Sequence, residues 1–334
     1  MKSFINKIIA LSASLAVCLL AVHGPVFAQD EKPEAEKEAP KEVKARPVKN
    51  TFQSVWIIDN QTVLVPVKGT LEMDIMHRFG TWNKGYEDFW GFFAPSNIRL
   101  GLSYAPINKL NLGFGVTKEK MLWDVNAKYS VITQTKGVYP VSISFYSNLA
   151  YIGTKNKYTI AKVDSTGAEY LDEKHKTDRL LYFHQLIVAR KLTDKLSVQV
   201  APSWTHQNAV GGYYTKNDST GKEVFKSMKH DHLAVAVSAR YKLTPVTSVM
   251  FNYDQPITKH PTSNPHPNIS FGVEFNTSSH SFQLFFGNYF SLSPQRNNLF
   301  NQNNPFTYTD NATKKEVKGG RFLIGFNITR LWNY

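Results

Sequence analysis

The chain of 334 residues has one cysteine, Cys18. Cys18 lies within a segment read below as a removed leader. The mature chain therefore has no thiol for a disulfide framework, a Cys-ligated zinc or a cysteine nucleophile. Charge is scarce as well, at 19% of residues against roughly 25% in average soluble domains. After the N-terminus no apolar run reaches the ~18 residues that a membrane-spanning helix requires, and from Gly69 onward the helical period is missing too. What is abundant is aromatic: 22 Phe, 16 Tyr and 6 Trp. Leu, Ile, Val and Phe are too frequent for a disordered chain. The length allows one large domain or two ordinary ones.

Residues 1–28 read as a signal peptide. Lys2 and Lys7 give a positive start, Ile8 to Val22 is apolar, and Val26-Phe27-Ala28 fits cleavage before Gln29. Lipidation at Cys18 is disfavoured by the bulky Val17 before it, and an uncleaved anchor by the stop at Gly24-Pro25. Residues 29–50 read as a disordered, charged Pro/Glu/Lys tether. From residue 30 on, they hold six acids, six bases, three prolines and no aromatic, too little apolar surface to offset the entropy of ordering. This tether is a spacer, or a reach toward a periplasmic partner.

The body, 69–334, has a period of two. In the last segment Phe322, Ile324, Phe326, Ile328, Arg330, Trp332 and Tyr334 form one row, and Leu323, Gly325, Asn327, Thr329 and Leu331 the other. A soluble sandwich would load its polar rows with Lys and Glu. Here those rows are mostly Gly, Ser, Asn and Thr, and the apolar rows end in Trp or Tyr. That is the pattern of an all-β, transmembrane, antiparallel up-and-down β-barrel, with lipid outside and a polar interior. Twelve strands are expected, near 70–79, 96–105, 109–118, 121–132, 140–151, 180–191, 196–205, 231–241, 246–254, 267–277, 280–289 and 320–332. The phase of 180–191 is ambiguous, because apolar residues occupy both rows. Connections alternate between short turns and mostly long loops, as bacterial outer-membrane barrels require. Residues 51–68 carry two apolar runs around Asp59-Asn60, each too short to cross. They are expected to form a hairpin that caps or plugs the periplasmic mouth; the alternative is one more strand pair, giving fourteen.

Phe52-Gln53-Ser54, Asn60-Gln61-Thr62, Gly69-Thr70-Leu71, His77-Arg78-Phe79-Gly80, Phe89-Trp90-Gly91, Ile98-Arg99-Leu100-Gly101-Leu102-x-Tyr104, Lys128-Tyr129 before Gln134, and Pro140-Val141-Ser142 follow one another in this order. Together they resemble an uncharacterised family of outer-membrane β-barrels (a domain of unknown function) from Gram-negative bacteria. The resemblance is densest over 51–150. It implies fold and location, the bacterial outer membrane, and brings no mechanism.

By phase, the inward charged residues are Glu72, Asp74, Asp124, Asp254 and Glu274 against Arg99, Lys128 and Arg240, a mixed set expected to pair across a narrow lumen. The loop after the first strand carries Trp82, Tyr86, Phe89, Trp90, Phe92 and Phe93. These six aromatics are expected in the barrel mouth or the outer-leaflet interface, with a stacking platform for a ring-bearing ligand as the sharper alternative. His77 is the best candidate base for a lipid-modifying enzyme, but no Ser stands beside it in a recognisable motif, so no catalytic residue is assigned. His230-Asp231-His232, His260 and His266 lie in polar loops and read as exposed histidines; no metal or cofactor is assigned.

The net charge is +13; the leader takes two lysines and the tether is neutral, so the barrel keeps +11. Export makes nucleic acid an implausible partner. Lys155, Lys157, Lys162, Lys216, Lys222, Lys226 and Lys229 are expected in outer loops, where they would meet lipopolysaccharide phosphates. The aromatic end Trp332-Asn333-Tyr334 resembles the signal by which barrel-insertion machinery recognises its clients. The functional expectation is a narrow porin-like channel or binding barrel for small polar solutes. A non-conducting structural or partner-docking barrel and a lipid-modifying enzyme are the alternatives.

Overall fold

A computed structural model describes residues 46–154, 161–164, 167–171, 175–216, 223–309 and 316–333. The leader and most of the tether, together with Lys155, Lys157 and Lys222, lie outside the described residues. Twelve strands close into one antiparallel barrel. They are β1 (Thr70–Thr81), β2 (Asn97–Ile107), β3 (Leu110–Thr117), β4 (Leu122–Ile132), β5 (Ser142–Ile152) and β6 (Leu180–Lys191). The second half is β7 (Leu196–Gln207), β8 (Asp231–Lys242), β9 (Thr247–Pro256), β10 (Asn268–Asn276), β11 (His280–Gly287) and β12 (Leu323–Asn333). Each strand pairs with its sequence neighbours, and β12 closes on β1 from Leu323↔Thr81 to Asn333↔Thr70. The strand count is twelve, not fourteen.

The two rows of every strand part as lipid and lumen demand. On β12, Leu323, Asn327 and Thr329 are buried inside, while Ile324, Phe326 and Ile328 look out. Around the wall, Leu100, Leu102, Phe114, Val125, Phe145, Phe251, Phe271 and Leu284 are each 43–52% exposed. This many exposed hydrophobes in one belt is unworkable in water and is what hydrocarbon requires. A closed cylinder leaves no sheet edge with unpaired backbone groups in the bilayer.

Three short turns share one device. The hydroxyl of Thr193 accepts from the backbone N–H of Lys195 and Leu196. Thr244 does the same for Val246 and Thr247, and Thr277 for His280. A threonine at the turn entrance mimics a backbone partner and fixes the register. By the rule for such barrels these turns face the periplasm. At the other end the loops carry structure of their own. Residues 161–164, 167–171, 211–216 and 223–227 form a separate four-stranded sheet, where polar loop composition suggests none. Their aromatic and β-branched positions, such as Tyr213, Tyr214, Thr215 and Val224, favour extended chain.

Residues 51–64 lie within the lumen, while Val67 and Lys68 are exposed beside the turn between β2 and β3. From the periplasmic mouth, where the sequence reading puts a cap or plug, the contacts of 51–64 extend to Gln283 at the middle of β11 and to Asp254 past the middle of β9. The cause is apolar. Phe52, Ile57, Ile58 and Val63 form one buried cluster with Tyr146, Phe183, Ile187, Ala201, Ala236, Met250 and Phe285 of the inner wall. This also settles the phase of β6: Leu186 faces lipid, while Phe183 and Ile187 face the hairpin.

Candidate functional site

The lumen is the site, and the hairpin is its centrepiece. Trp56–Ile57 pairs with Asn60–Gln61. The turn between them puts Ile58 at φ 61, a left-handed conformation that a β-branched residue adopts only under constraint. The constraint is visible. The Ile58 N–H donates to Gln283 Oε1 at 3.1 Å, and its carbonyl accepts from Asn327 Nδ2 at 2.5 Å. Further wall side chains hold the hairpin backbone. Ser144 donates to the Val63 carbonyl at 2.9 Å, Gln199 to that of Gln61 at 2.7 Å, and Gln283 to that of Trp56 at 2.8 Å. No hairpin residue joins the wall as a strand. The attachment is made by side chains, amides, hydroxyls and charged groups, plus an apolar contact.

All eight inward charged residues lie buried in the wall. Arg99 bridges Asp74 at 2.7 Å and Asp124 at 2.9 Å, and Trp56 Nε1 donates to Asp74 at 3.3 Å. This triad needs bare backbone beside it, because a Cβ at Gly101 or Gly115 would run into the Asp74, Arg99 and Asp124 side chains. Arg240 pairs with Glu274 at 2.5 Å and donates to Gln53 of the hairpin segment. Lys128 donates to Gln61 Oε1 at 2.7 Å and the Thr62 carbonyl at 3.2 Å. Asp254 accepts from amides only, including Asn60 at 2.8 Å and Asn268 at 3.3 Å. Neither oxygen of Glu72 has a hydrogen-bond partner. The charges thus face the hairpin rather than an open channel.

Sequence reasoning missed four lumen residues. Arg78 is fully buried, donates to Asn327 at 3.0 Å and lies over the Phe285 ring at 4.4 Å; it shares the phase of Glu72 and Asp74, which was the available signal. Trp56, Asp59 and Tyr289 sit outside the barrel strands, so no long periodicity marks them.

From the outer side, helix α1 (Pro294–Phe300) enters the same space. It is opened by Ser293 and a proline at its start. Gln295 donates to Asn148 Oδ1 at 2.6 Å and Asn298 to Ser203 at 3.3 Å. Asp59 at the hairpin tip accepts from Tyr289 at 2.7 Å and from Asn297 at 3.2 Å. Hairpin and α1 therefore meet inside the barrel. Spaces between them and the wall include two of about 10 Å³ each.

The aromatic loop lies on the outer face, not inside the mouth. Phe92 packs on outward-facing Phe79 at 4.5 Å, Phe89 on Phe92 and Phe93, and Trp90 on Phe89. Trp82 packs on Phe286 and Phe322. Tyr86 and Phe93 are each 82% exposed, which continues the lipid-facing belt beyond the strand end. His77 stacks on Phe326 at 5.0 Å, and its Nδ1 is buried without a hydrogen-bond partner among the described residues, serine included. His232 and His260 are buried and joined Nδ1 to Nε2 at 2.9 Å. This corrects the exposed reading, because the loop after β9 folds back over the outer end of β8. Of the outer lysines, Lys162, Lys216 and Lys226 lie in loop strands and Lys229 is exposed.

Comparison with solved structures gives a NanC porin (9% identity, 79% of this chain and 99% of that chain, TM-score 0.40) and a KdgM porin (12%, 78% and 98%, TM-score 0.38). It also gives the toluene transporter TbuX of Ralstonia pickettii (7%, 82% and 91%, TM-score 0.36). No curated protein matches in sequence. The family comparison is of a different order, since it spans residues 52–332, the hairpin and every barrel strand. A closed twelve-stranded antiparallel cylinder with an oily belt places the protein in the bacterial outer membrane, and the chain belongs to the family described as "Membrane bound beta barrel domain (DUF5777)".

Proposed function

We propose that this protein is a porin-like conduit for small polar solutes, closed at rest by its own hairpin and by α1. The observation that carries the reading is the mode of attachment. The inner wall presents Ser, Thr, Asn and Gln along its height, the lining of an aqueous path. The hairpin is bound to it through side chains and shares no strand ladder with it, so it can leave without breaking the barrel. The aromatic loop and the outer lysines would seat the barrel in the outer leaflet against acyl chains and lipopolysaccharide phosphates. The aromatic end of β12 would serve recognition by the insertion machinery.

Planar-bilayer conductance tests the conduit. Wild type should show brief, rare openings. A variant lacking residues 51–65, with 292–304 replaced by a Gly/Ser linker, should conduct steadily. Val63→Cys with Ser144→Cys, oxidised, should stay silent until reduced. If the folded deletion variant carries no current above the lipid background, the barrel is structural, the second reading, which is favoured by the tight packing of hairpin against wall.

A further inference from the structure

We infer that the protein holds a single monovalent cation of sodium size at the hairpin–wall seam, on the carboxylate of Glu72. A space of about 10 Å³ lies there, lined by Trp56 and Gln61 of the hairpin and by Glu72, Ser103 and Asn111 of the wall, with the Asp74–Arg99 ion pair on its border. Such a space admits one water-sized occupant. Glu72 of β1 stands opposite Ser103 of β2 in the ladder, and Asn111 of β3 donates to Ser103 Oγ at 3.1 Å. Glu72 is 1% exposed and Asn111 4%. Both carboxylate oxygens of Glu72 and the Asn111 Oδ1 lack any hydrogen-bond partner. Three orphan acceptors thus belong to side chains that line one small space. Leaving an ionised carboxylate buried without a partner is among the costliest arrangements in a protein.

Charge decides what the occupant is. The buried groups around this space are Glu72, Asp74 and Asp124 against Arg99 and Lys128. Arg99 bridges the two aspartates; Lys128 donates to Gln61 and Thr62 and acts on Glu72 by charge alone, with no hydrogen bond to it. The five groups together carry one excess negative charge, and Glu72 is the acid among them whose oxygens have no donor. A hard monovalent ion with oxygen ligands satisfies both the charge and the acceptors. A neutral water satisfies only the acceptors. Gln61 and Trp56 close the space from the hairpin side, so the ion ties hairpin to wall whether or not the barrel conducts.

The test uses the full mature chain folded in detergent micelles. Its unfolding temperature is measured in sodium chloride and in N-methylglucamine chloride at equal ionic strength, and the ²³Na linewidth is followed on titration with protein. The temperature should rise with sodium along a saturating curve, as binding to the folded state alone requires, and the ²³Na signal should broaden. Glu72→Gln should abolish the sodium-dependent shift and lower affinity at least about tenfold. Equal stability in the two salts without broadening, or an undiminished sodium effect in Glu72→Gln, overturns the proposal. So does a stability that follows pH and ignores sodium, since Glu72 then carries a proton instead. If Glu72→Gln fails to fold, the wild-type broadening and its competition by potassium decide the matter.

Discussion

Single residues in the lumen work under the rule that a buried charge must be answered. Burial holds the carboxyl of Asp59 above its usual 3.8, and the bonds from Tyr289 and Asn297 with the charge of Arg78 only partly offset it. Arg78, Tyr289 and Asp254 are the titratable groups that face it. A raised value in the folded state means that the stability contributed is complete below the unfolded value and is lost as pH rises through the folded one. Thermal stability should therefore fall from acid toward neutral pH, and Asp59→Asn should flatten that part of the profile; parallel profiles for the two proteins would refute this. Arg99 gives a sharper case. Arg99→Met leaves Asp74 and Asp124 without their cation and should cost about 3–5 kcal/mol, read as a lowered urea midpoint in lipid vesicles. Adding Asp74→Asn and Asp124→Asn should restore most of the loss.

At the scale of elements, the strands were legible and the lumen's filling was less so. A period of two with Gly, Ser and Asn opposite aromatics can only mean hydrocarbon on one side, and β12 shows it row by row. Phase alone also put Glu72, Asp74, Arg99, Asp124, Lys128, Arg240, Asp254 and Glu274 in the interior. What periodicity cannot say is which inner groups meet, because Arg99 touches Asp124 across two strand boundaries and Asn327 reaches Ile58 over most of the chain length. The doubled apolar rows of β6 were a trace of the hairpin, since an apolar residue facing a polar lumen needs an apolar guest. Ile57→Ala and Ile58→Ala should each cost about 2–5 kcal/mol of hairpin seating. Hydrogen exchange should then quicken at 52–63 and stay slow in the barrel strands; uniform quickening would mean that hairpin and barrel form one cooperative unit.

For the whole molecule, the outer surface should respond to the same charge according to its depth in the bilayer. Leu102→Arg, on the belt, should destabilise the membrane-embedded barrel by about 2–4 kcal/mol, whereas Phe93→Arg on the exposed outer loop should cost far less; equal losses in vesicle unfolding would contradict the lipid-facing assignment. The closure of β12 on β1 also dictates a timetable. The first strand of the cylinder waits for the last one, some 250 residues later, and the hairpin comes just before that first strand. The opening piece of the chain must therefore be gathered in while the rim is still unzipped, or be drawn upward through the finished rim against its own amide clasps. Either way, maturation has an order: an assembly factor holding the two edges apart would also be holding open the door through which the protein receives its own stopper.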